Sequence, residues 1–335
     1  MRRILSIILV LLMVFSLVGC GGGAPASTNG TNGGDQTEPI VLKLQGAFPE
    51  GTVNYYFFDQ FCDLVYERSN GTIKVEWGAG PEAIATTELA EAMINGMVDL
   101  VFTPITYLVT VAPILNGVRM TEPKEMRESG GVEYIDSLTQ EHLNAKFLAR
   151  TVAETKYYMA VNKKITKLSD FEGLVLRGNA AYLPMIEGVG AEMATAEWGE
   201  VYQAIERNVF DGAGGTLKDY VDNSLGGVLK YLIMPGFFNS DAALFVSLNV
   251  WEKLDDVQKQ ALLDSAIDWE VDSARHFSEL NEKMIQTLQE AGMEIIEFEG
   301  ELRDEYLNTI YENGWERLKR IDPEAAEKMR SFTSN

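Results

Sequence analysis

The chain has 335 residues, of which 46% are apolar and 23% are charged, a composition that supports one large or two smaller folded domains and excludes a disordered chain. Its 50 acidic and 28 basic residues give a formal net charge of -22, a sign that repels phosphate backbones and excludes nucleic acid as a first hypothesis. Only two His and two Cys are present, which is too few for most zinc, haem, iron–sulfur or thiol redox sites, so we expect no metal and no cofactor.

Residues 1–19 are organised as a secretion signal. Arg2 and Arg3 precede an apolar stretch over 4–18, and Cys20 closes the segment. This order resembles a bacterial lipoprotein signal with its lipobox, in which Cys20 becomes the lipidated N-terminus after cleavage. The alternative of a transmembrane anchor is disfavoured because ~15 apolar residues are fewer than the ~20 that span a bilayer. Cleavage removes the two Arg, which changes the formal charge from -22 to -24.

Residues 20–39 are rich in Gly, Ser, Thr and Asn and have no apolar periodicity, which predicts a flexible tether. No later segment is an uninterrupted apolar run of membrane-spanning length, since even 98–115 contains Asp99 and two Pro. We therefore expect a folded protein outside the cytoplasm, held to the membrane by its lipid alone.

The N-terminal part of the folded chain alternates strand and helix patterns. Strands with alternating apolar residues are predicted at 41–45, 73–77 and 99–102. Between them, apolar residues at helical spacing predict a helix from Phe58 that Asn70 and Gly71 end, and a second helix capped by Thr87. This βαβαβ order predicts a parallel sheet with flanking helices.

The C-terminal part begins a second unit of the same kind. Strands are predicted at 157–161 and 174–176, and the spacing from Ser169 to Glu172 predicts a capping box for a short helix between them. A further helix is predicted over 198–208. An apolar helical pattern over 255–291 predicts a helix of ~55 Å, which either breaks near 268–273 or runs along two lobes and ties them together.

Motifs for catalysis are weak throughout. His142 and His276 belong to no nucleophile–base pattern, and Cys62 falls on the apolar face of its helix. The glycines at 188–190 and 212–215 lack the third Gly of a dinucleotide loop and the Lys-Ser/Thr of a phosphate loop, respectively. We therefore predict that the protein is not an enzyme, with an extracellular hydrolase kept as an alternative because its many carboxylates could include a catalytic pair.

Arg177 is the strongest binding candidate that the residues themselves provide. It directly follows the apolar strand at 174–176, and the carboxyl ends of strands are where open α/β sheets bind ligands. The alternative interpretation is a structural Arg paired with one of the many carboxylates.

Several motifs occur in colinear order over about residues 40–300. They are 42–44, 69–75, 91–99, 168–173, Arg177, 200–202, 208–212 and 249–254. This order resembles the signature of the DctP-type solute-binding proteins of TRAP transporters. The resemblance implies a type II periplasmic-binding-protein fold of the α/β class, with two lobes around a central cleft, joined by hinge strands and a long helix. The expected lobes are 40–155 plus about 242–275, and about 156–241 plus about 276–335.

The resemblance also implies a receptor that closes on a small organic acid. Arg177 matches the family's carboxylate-binding Arg, and a planar guanidinium suits that role because it pairs bidentately and stays charged when desolvated. Trp198 stands where the family commonly has an aromatic residue and is expected to cover the ligand, with core packing as the alternative. Asn179 is expected to hydrogen-bond the ligand.

Two departures from the family pattern bear on the substrate. Arg177 is followed by Gly-Asn where many members have Val-Pro, and 211–216 lack the amide side chain of sialic-acid-type members, which disfavours a sugar acid. Tyr157 or Tyr158 replaces the second Arg of some members, so a single strong cation predicts a monocarboxylate with an apolar, aromatic, keto or hydroxy remainder. Further candidate ligand-binding residues are Trp77, Tyr107, Thr216, Phe237, Asn239 and Asp241.

The partners implied are the small organic acid and the TRAP membrane permease subunits, and we expect a monomer. A receptor of the same fold that serves a signalling partner remains an alternative.

Overall fold

The computed structural model describes residues 38–334, and its strands form two mixed sheets. The predicted signal, Cys20 and most of the predicted tether lie outside the described residues. The strands are β1 (Ile40–Gly46), β2 (Ile73–Ala79), β3 (Leu100–Pro104), β4 (Ala145–Arg150), β5 (Tyr158–Val161), β6 (Val175–Arg177), β7 (Glu192–Ala194), β8 (Gly212–Gly215), β9 (Tyr231–Met234), β10 (Ala242–Ser247) and β11 (Glu294–Glu297).

Helices cover both sheets, and short 3-10 turns join several elements. The α-helices are α1 (Phe58–Arg68), α2 (Leu89–Ile94), α3 (Pro123–Ser129), α4 (Gly131–Leu143), α5 (Leu183–Gly188), α6 (Trp198–Glu206), α7 (Leu217–Asp222), α8 (Leu248–Trp251), α9 (Asp256–Glu290), α10 (Gly300–Lys319) and α11 (Pro323–Arg330). The 3-10 helices are Val53–Tyr55, Thr86–Glu88, Ile105–Tyr107, Pro113–Met120, Leu168–Phe171, Ala180–Tyr182 and Leu225–Gly227. Within residues 38–334, no helix combines the length and the apolar character needed to cross a bilayer.

The first sheet has the order β2-β1-β3-β10-β4. β1 runs parallel to β2 and β3, as the βαβαβ pattern predicted. β10 runs antiparallel to both β3 and β4, so the prediction of a parallel sheet is wrong on this side. The reason is that β10 returns from the second half of the chain, and an antiparallel neighbour needs no crossover helix.

The second sheet has the order β11-β9-β5-β8-β6-β7, in which β5 runs antiparallel to β8 and β9. The chain passes from the first sheet to the second between β4 and β5, and it returns between β9 and β10. These two connections lie side by side: Tyr157 N donates to Phe238 O at 2.8 Å and Ser240 N donates to Thr155 O at 2.8 Å. The paired connections are the hinge strands of the predicted two-lobed fold.

Several local predictions can be compared with the structure. α1 begins at Phe58, and the chain leaves it through Asn70 and Gly71, which have φ of 56° and 77°. Thr87 was predicted to cap α2, but it lies inside a 3-10 turn and its side chain caps nothing, so that prediction is wrong. The carboxylate that organises the short 168–171 helix is Asp170 rather than Glu172, because Asp170 Oδ2 accepts hydrogen bonds from the backbone and hydroxyl of Thr166.

α9 is one unbroken helix of 35 residues, so the alternative with a break near 268–273 is wrong. It packs against α1 and β4 beside the first sheet and against α7 beside the second. Its start is fixed by a reciprocal cap, in which Asp255 Oδ1 accepts from Gln258 N at 2.8 Å and Gln258 Oε1 accepts from Asp255 N at 3.0 Å. The helix therefore spans both lobes and ties them together.

Glu270 anchors the middle of α9 to the first lobe. Its buried carboxylate accepts from Arg127 Nε at 2.6 Å, from Arg127 Nη2 at 2.8 Å and from Arg150 N at 2.9 Å. Both carboxylate oxygens are thus satisfied, and α9 is joined to α3 and β4 at one point.

We predict that Glu270→Gln lowers the free energy of unfolding by about 3 kcal/mol, because it leaves the Arg127 guanidinium without its counter-charge in a mostly buried site. Urea denaturation followed by far-ultraviolet circular dichroism measures this change. Glu282→Gln, on the exposed side of the same helix, is the matched control and stays within about 0.5 kcal/mol of wild type. Equal stability of the two variants would contradict the anchoring role.

Candidate functional site

A cavity of about 580 Å³ opens among the two sheets and α9. The first sheet's side contributes residues that follow β1 and β3 and residues that precede β10. The second sheet's side contributes residues at the ends of β6 and β8, and α9 contributes three apolar side chains. The cavity wall includes Phe48, Thr106, Tyr107, Tyr157, Arg177, Asn179, Tyr182, Trp198, Thr216, Lys218, Asp219, Asp241, Phe277, Leu280 and Met284.

Arg177 is the last residue of β6, and only 6% of it is exposed. Its Nε and Nη2 donate to the Ala196 carbonyl at 3.1 and 3.0 Å, and its Nη1 donates to the Gly214 carbonyl at 3.3 Å. None of the ion pairs among residues 38–334 includes Arg177. Since a guanidinium has five N–H groups, two remain for a ligand. Neutral carbonyls thus orient a full positive charge at the cavity wall.

Trp198 begins α6, and its ring lies over the guanidinium, with 3.8 Å between Arg177 Cζ and the ring centroid. This is a close cation–π contact. The indole is half-buried and also packs against the core of the second lobe, so core packing and cavity lining occur together in this side chain.

The glycine-rich strand β8 makes room for two aromatic rings. A Cβ atom on Gly214 would lie 2.5 Å from Tyr182 Cδ1, and one on Gly215 would lie 2.9 Å from Trp198 Cη2. Only glycine allows both rings to lie directly on the strand. The sequence departure noted at 211–216 therefore has a local physical reason, because an amide side chain there would displace the rings.

Tyr157 and Tyr182 provide two phenol groups in the cavity. Their rings meet edge to face, with centroids 5.4 Å apart, and neither hydroxyl forms a hydrogen bond with the described part of the chain. Burial raises the pKa of both hydroxyls well above the usual range, so both remain O–H donors at neutral pH. Tyr182 was missed in the sequence, where the only signal was the glycine run that accommodates its ring.

Two carboxylates line the cavity. Asp241 is 2% exposed, and its Oδ2 accepts from Thr106 N at 3.0 Å and from Thr106 Oγ1 at 2.6 Å. Asp219 is half-buried, and its Oδ2 accepts from the backbone and hydroxyl of Thr216 at 2.8 Å each, which caps α7. The Thr216 hydroxyl is therefore engaged in the cap.

Asn179 and Tyr107 also lie on the cavity wall. Asn179 Oδ1 accepts from Ala181 N at 2.9 Å, which fixes the turn after Arg177 and leaves the amide nitrogen without a partner in the described chain. Together with Tyr157, Arg177, Trp198, Thr216 and Asp241, seven of the sequence candidates meet at one cavity.

The structure does not bring the other four candidates to this wall. Trp77 packs against Tyr55, with 4.9 Å between ring centroids, and the Tyr158 side chain faces away from its neighbour Tyr157 because side chains alternate along a strand. The remaining two are held by other contacts. Phe237 packs behind Tyr182 at 1% exposure, and Asn239 Nδ2 donates to the Thr121 carbonyl at 3.0 Å.

Neither His142 nor His276 lines the cavity; the His276 ring stacks on Tyr56 with centroids 4.0 Å apart. Over residues 38–334, no three His, Cys, Asp or Glu side chains are grouped so that they could hold a metal ion.

Residues 45–313 match the family described as "Bacterial extracellular solute-binding protein, family 7". The chain is 24% identical to the C4-dicarboxylate-binding periplasmic protein DctP of Rhodobacter capsulatus, over 89% of this chain and 92% of that one. It is 25% identical to a solute-binding protein of Chromohalobacter salexigens, a match that spans about half the length of each chain.

Solved structures show the same fold. A TRAP periplasmic solute-binding protein of Rhodobacter sphaeroides in an apo open state superposes with a TM-score of 0.76 at 17% identity, over 88% of this chain and 96% of that one. A Bordetella pertussis extracytoplasmic solute receptor binding pyroglutamic acid has a TM-score of 0.66 at 16% identity, over 87% of this chain and 99% of that one. A Chromohalobacter salexigens protein with bound D-glucuronate has a TM-score of 0.68 at 19% identity, over 87% of this chain and 100% of that one.

These matches confirm the predicted α/β fold with two lobes and the predicted resemblance. Because the family consists of solute-binding proteins, the hydrolase alternative is dropped. The protein belongs to family 7 of the bacterial extracellular solute-binding proteins, the DctP family of TRAP receptors, and it is a binding protein rather than an enzyme.

Proposed function

We propose that this protein is the lipid-tethered receptor of a TRAP transporter, which captures a small organic monocarboxylate between its lobes and delivers it to the membrane permease subunits. One observation carries the proposal. Arg177 is a buried guanidinium on the cavity wall that has no ion pair within residues 38–334 and keeps two N–H groups unused.

A carboxylate is the ligand group that suits this arrangement best. It accepts two parallel hydrogen bonds from a guanidinium and neutralises its charge, which otherwise stays desolvated without a counter-ion. The Tyr157 and Tyr182 hydroxyls add donors with no partner in the described chain. The surface charge of the whole chain matters less, because at ~0.15 M salt a field is largely screened beyond ~8 Å.

The rest of the cavity favours a single carboxylate. Lys218 is the other cation on the wall, and it is already paired with Asp222 at 2.6 Å. A second carboxylate on the ligand would approach Asp219 or Asp241, whereas Phe277 and other apolar side chains offer contact to an apolar remainder. Two structural neighbours bind monocarboxylates, pyroglutamic acid and D-glucuronate, whereas the DctP relative of Rhodobacter capsulatus is named for C4-dicarboxylates. The proposal of a single carboxylate therefore rests on the cavity wall of this chain.

Binding is proposed to close the cleft. The cavity wall comes from both sheets and from α9, and the two paired connections near 155 and 240 pass between the sheets, as α9 also does. We propose lobes of 40–155 plus about 242–275, and about 156–241 plus about 276–335, that rotate about these connections.

The membrane attachment of the protein is part of the proposal. Cys20 follows a charged and then apolar segment in the sequence, and the Gly-rich residues after it provide a tether. We propose that the receptor is a monomer, extracytoplasmic and anchored through lipid on Cys20, so that diffusion near the membrane brings it to the permease.

We predict that Arg177→Met lowers the affinity for the bound acid at least 100-fold, because the ligand carboxylate loses its counter-charge in a desolvated site (about 3 kcal/mol). Arg177→Lys keeps the positive charge but not the planar guanidinium, and its affinity for the acid falls about tenfold. The acid recovered from the wild-type protein is identified by mass spectrometry and titrated by calorimetry. Arg207→Met, on the exposed end of α6, is the control. Unchanged affinity of Arg177→Met would refute the assignment.

Trp198 is predicted to act through its ring. Trp198→Leu weakens binding about tenfold, because it removes the cation–π contact that holds the guanidinium, whereas Trp198→Phe keeps a ring and loses no more than about threefold. Calorimetry with the same acid measures the affinity of both variants, and thermal unfolding checks that the two variants are equally folded. If the Leu and Phe variants bind equally well, the ring has no such role.

The anchor is tested on the full-length precursor. We predict that wild-type protein partitions into the detergent phase of Triton X-114 and that a variant that begins at residue 21 stays in the aqueous phase, because a lipid chain contributes about 0.8 kcal/mol per buried methylene. Intact-mass spectrometry of the wild-type N-terminal peptide provides the second readout. Aqueous partition of both proteins would contradict lipidation.

A further inference from the structure

The cavity holds a second unpaired charge, opposite in sign to that of Arg177. Asp241 is 2% exposed, lies on the cavity wall and belongs to none of the ion pairs within the described residues. Both of its hydrogen bonds, from Thr106 N and Thr106 Oγ1, go to Oδ2. Its Oδ1 accepts none from the described chain. A buried carboxylate in this state is stabilised by any ligand group that donates a hydrogen bond to Oδ1.

Asp219, the other carboxylate of the wall, is in a different situation. It is half-buried, and its charge caps the first turn of α7 through Thr216. Solvent and the helix N-terminus therefore compensate Asp219, while the side chain of Asp241 has, within residues 38–334, only the two donors of Thr106.

We propose that the ligand is a small acid with an N–H group next to its carboxylate, and that Asp241 selects it by accepting that N–H. This inference rests on the proposed function, because Arg177 takes the carboxylate end. An amino acid with its ammonium group and a cyclic amide with its ring N–H share this chemistry. An acid with an ether oxygen at the same place would set lone pairs against the Asp241 carboxylate and is rejected. A hydroxyl donates its hydrogen but also carries lone pairs, whereas an ammonium or amide N–H group only donates, so the hydroxy acid binds less tightly than the N–H acid.

The two charges come from opposite sides of the cavity. Asp241 directly precedes β10 of the first sheet, and Arg177 ends β6 of the second. A ligand with both groups bridges the two walls and stabilises the closed form, whereas a plain carboxylate satisfies only one wall. Selection and closure therefore depend on the same pair of residues.

A structural role is the competing explanation for Asp241. Arg119 and Arg150 are buried nearby. Burial lowers the pKa of Arg150, and the charge of Asp241 is among those that raise it again. Burial raises the pKa of Tyr157, the charge of Asp241 raises it further and the charge of Arg119 lowers it. The Arg119 guanidinium faces the Tyr157 and Phe238 rings at 5.7 and 4.9 Å. If Asp241 only compensates these cations, its replacement changes stability without changing which acids are preferred.

The test compares acids that differ only at the N–H position. L-proline is paired with tetrahydrofuran-2-carboxylate, L-pyroglutamate with 5-oxotetrahydrofuran-2-carboxylate, and L-leucine with 4-methylpentanoate and with its 2-hydroxy acid. The proline and leucine arms report on an ammonium group, and the pyroglutamate arm reports on a neutral ring N–H. Thermal shift finds the binders among these acids, and calorimetry gives their Kd.

We expect at least one N–H acid to bind wild type 30-fold or more tightly than its counterpart. In Asp241→Asn this ratio falls below threefold, since the Asn carbonyl still accepts from Thr106 but its amide donates toward the ligand. Asp264→Asn, with the same charge change on the exposed face of α9, keeps the wild-type ratio. If Asp241→Asn does not fold, the ratio of the Kd values of the two acids for the wild-type protein alone tests the inference.

Three results would overturn the inference: counterparts or hydroxy acids that bind within threefold of the N–H acids, an unchanged ratio in Asp241→Asn, or no binding of any N–H acid. Binding of N-free acids alone, lost in Arg177→Met, would reject this inference and leave the proposed function standing. Binding of no acid from either set would reject both.

Discussion

The site depends on one constraint: a full positive charge is held at the cavity wall by neutral groups. The Ala196 and Gly214 carbonyls fix the Arg177 guanidinium, and the Trp198 ring covers one face of it, so its direction is set without its charge being cancelled. The protein is acidic, with a formal charge of -22, yet Arg177 belongs to none of the ion pairs among residues 38–334. The surrounding rings and its place at the end of a strand bury this guanidinium away from the surface carboxylates.

The surrounding architecture follows from that need. β8 consists of small residues so that the Tyr182 and Trp198 rings can lie against it, and this places the Gly214 carbonyl beside Arg177. Asp241, which directly precedes β10 of the first sheet, lies on the opposite wall, and α9 spans both lobes without a break. Glu270 holds α9 to the first lobe through Arg127, so in the proposed closure α9 stays with that lobe.

Much of the fold was predictable, because strand alternation, helix spacing and a colinear family pattern are properties of local sequence. The antiparallel place of β10 was not, since it depends on which distant strands pair, and Thr87 failed as a cap because a 3-10 turn competes with the helix start. In the site, Arg177 and Trp198 followed from motif position. Tyr182 lines the cavity without having been a candidate, and Phe237 and Asn239 do not reach its wall, because the direction of a side chain in a loop is set by tertiary packing.

The central claim is that Arg177 binds the carboxylate of the ligand between the two lobes. A crystal structure of the protein purified with the acid it retains tests this most directly. The account predicts the carboxylate oxygens within about 3 Å of Arg177 Nη1 and Nη2 in a closed cleft. A ligand whose carboxylate lies on other residues, with Arg177 still bound only to Ala196 and Gly214, would contradict it.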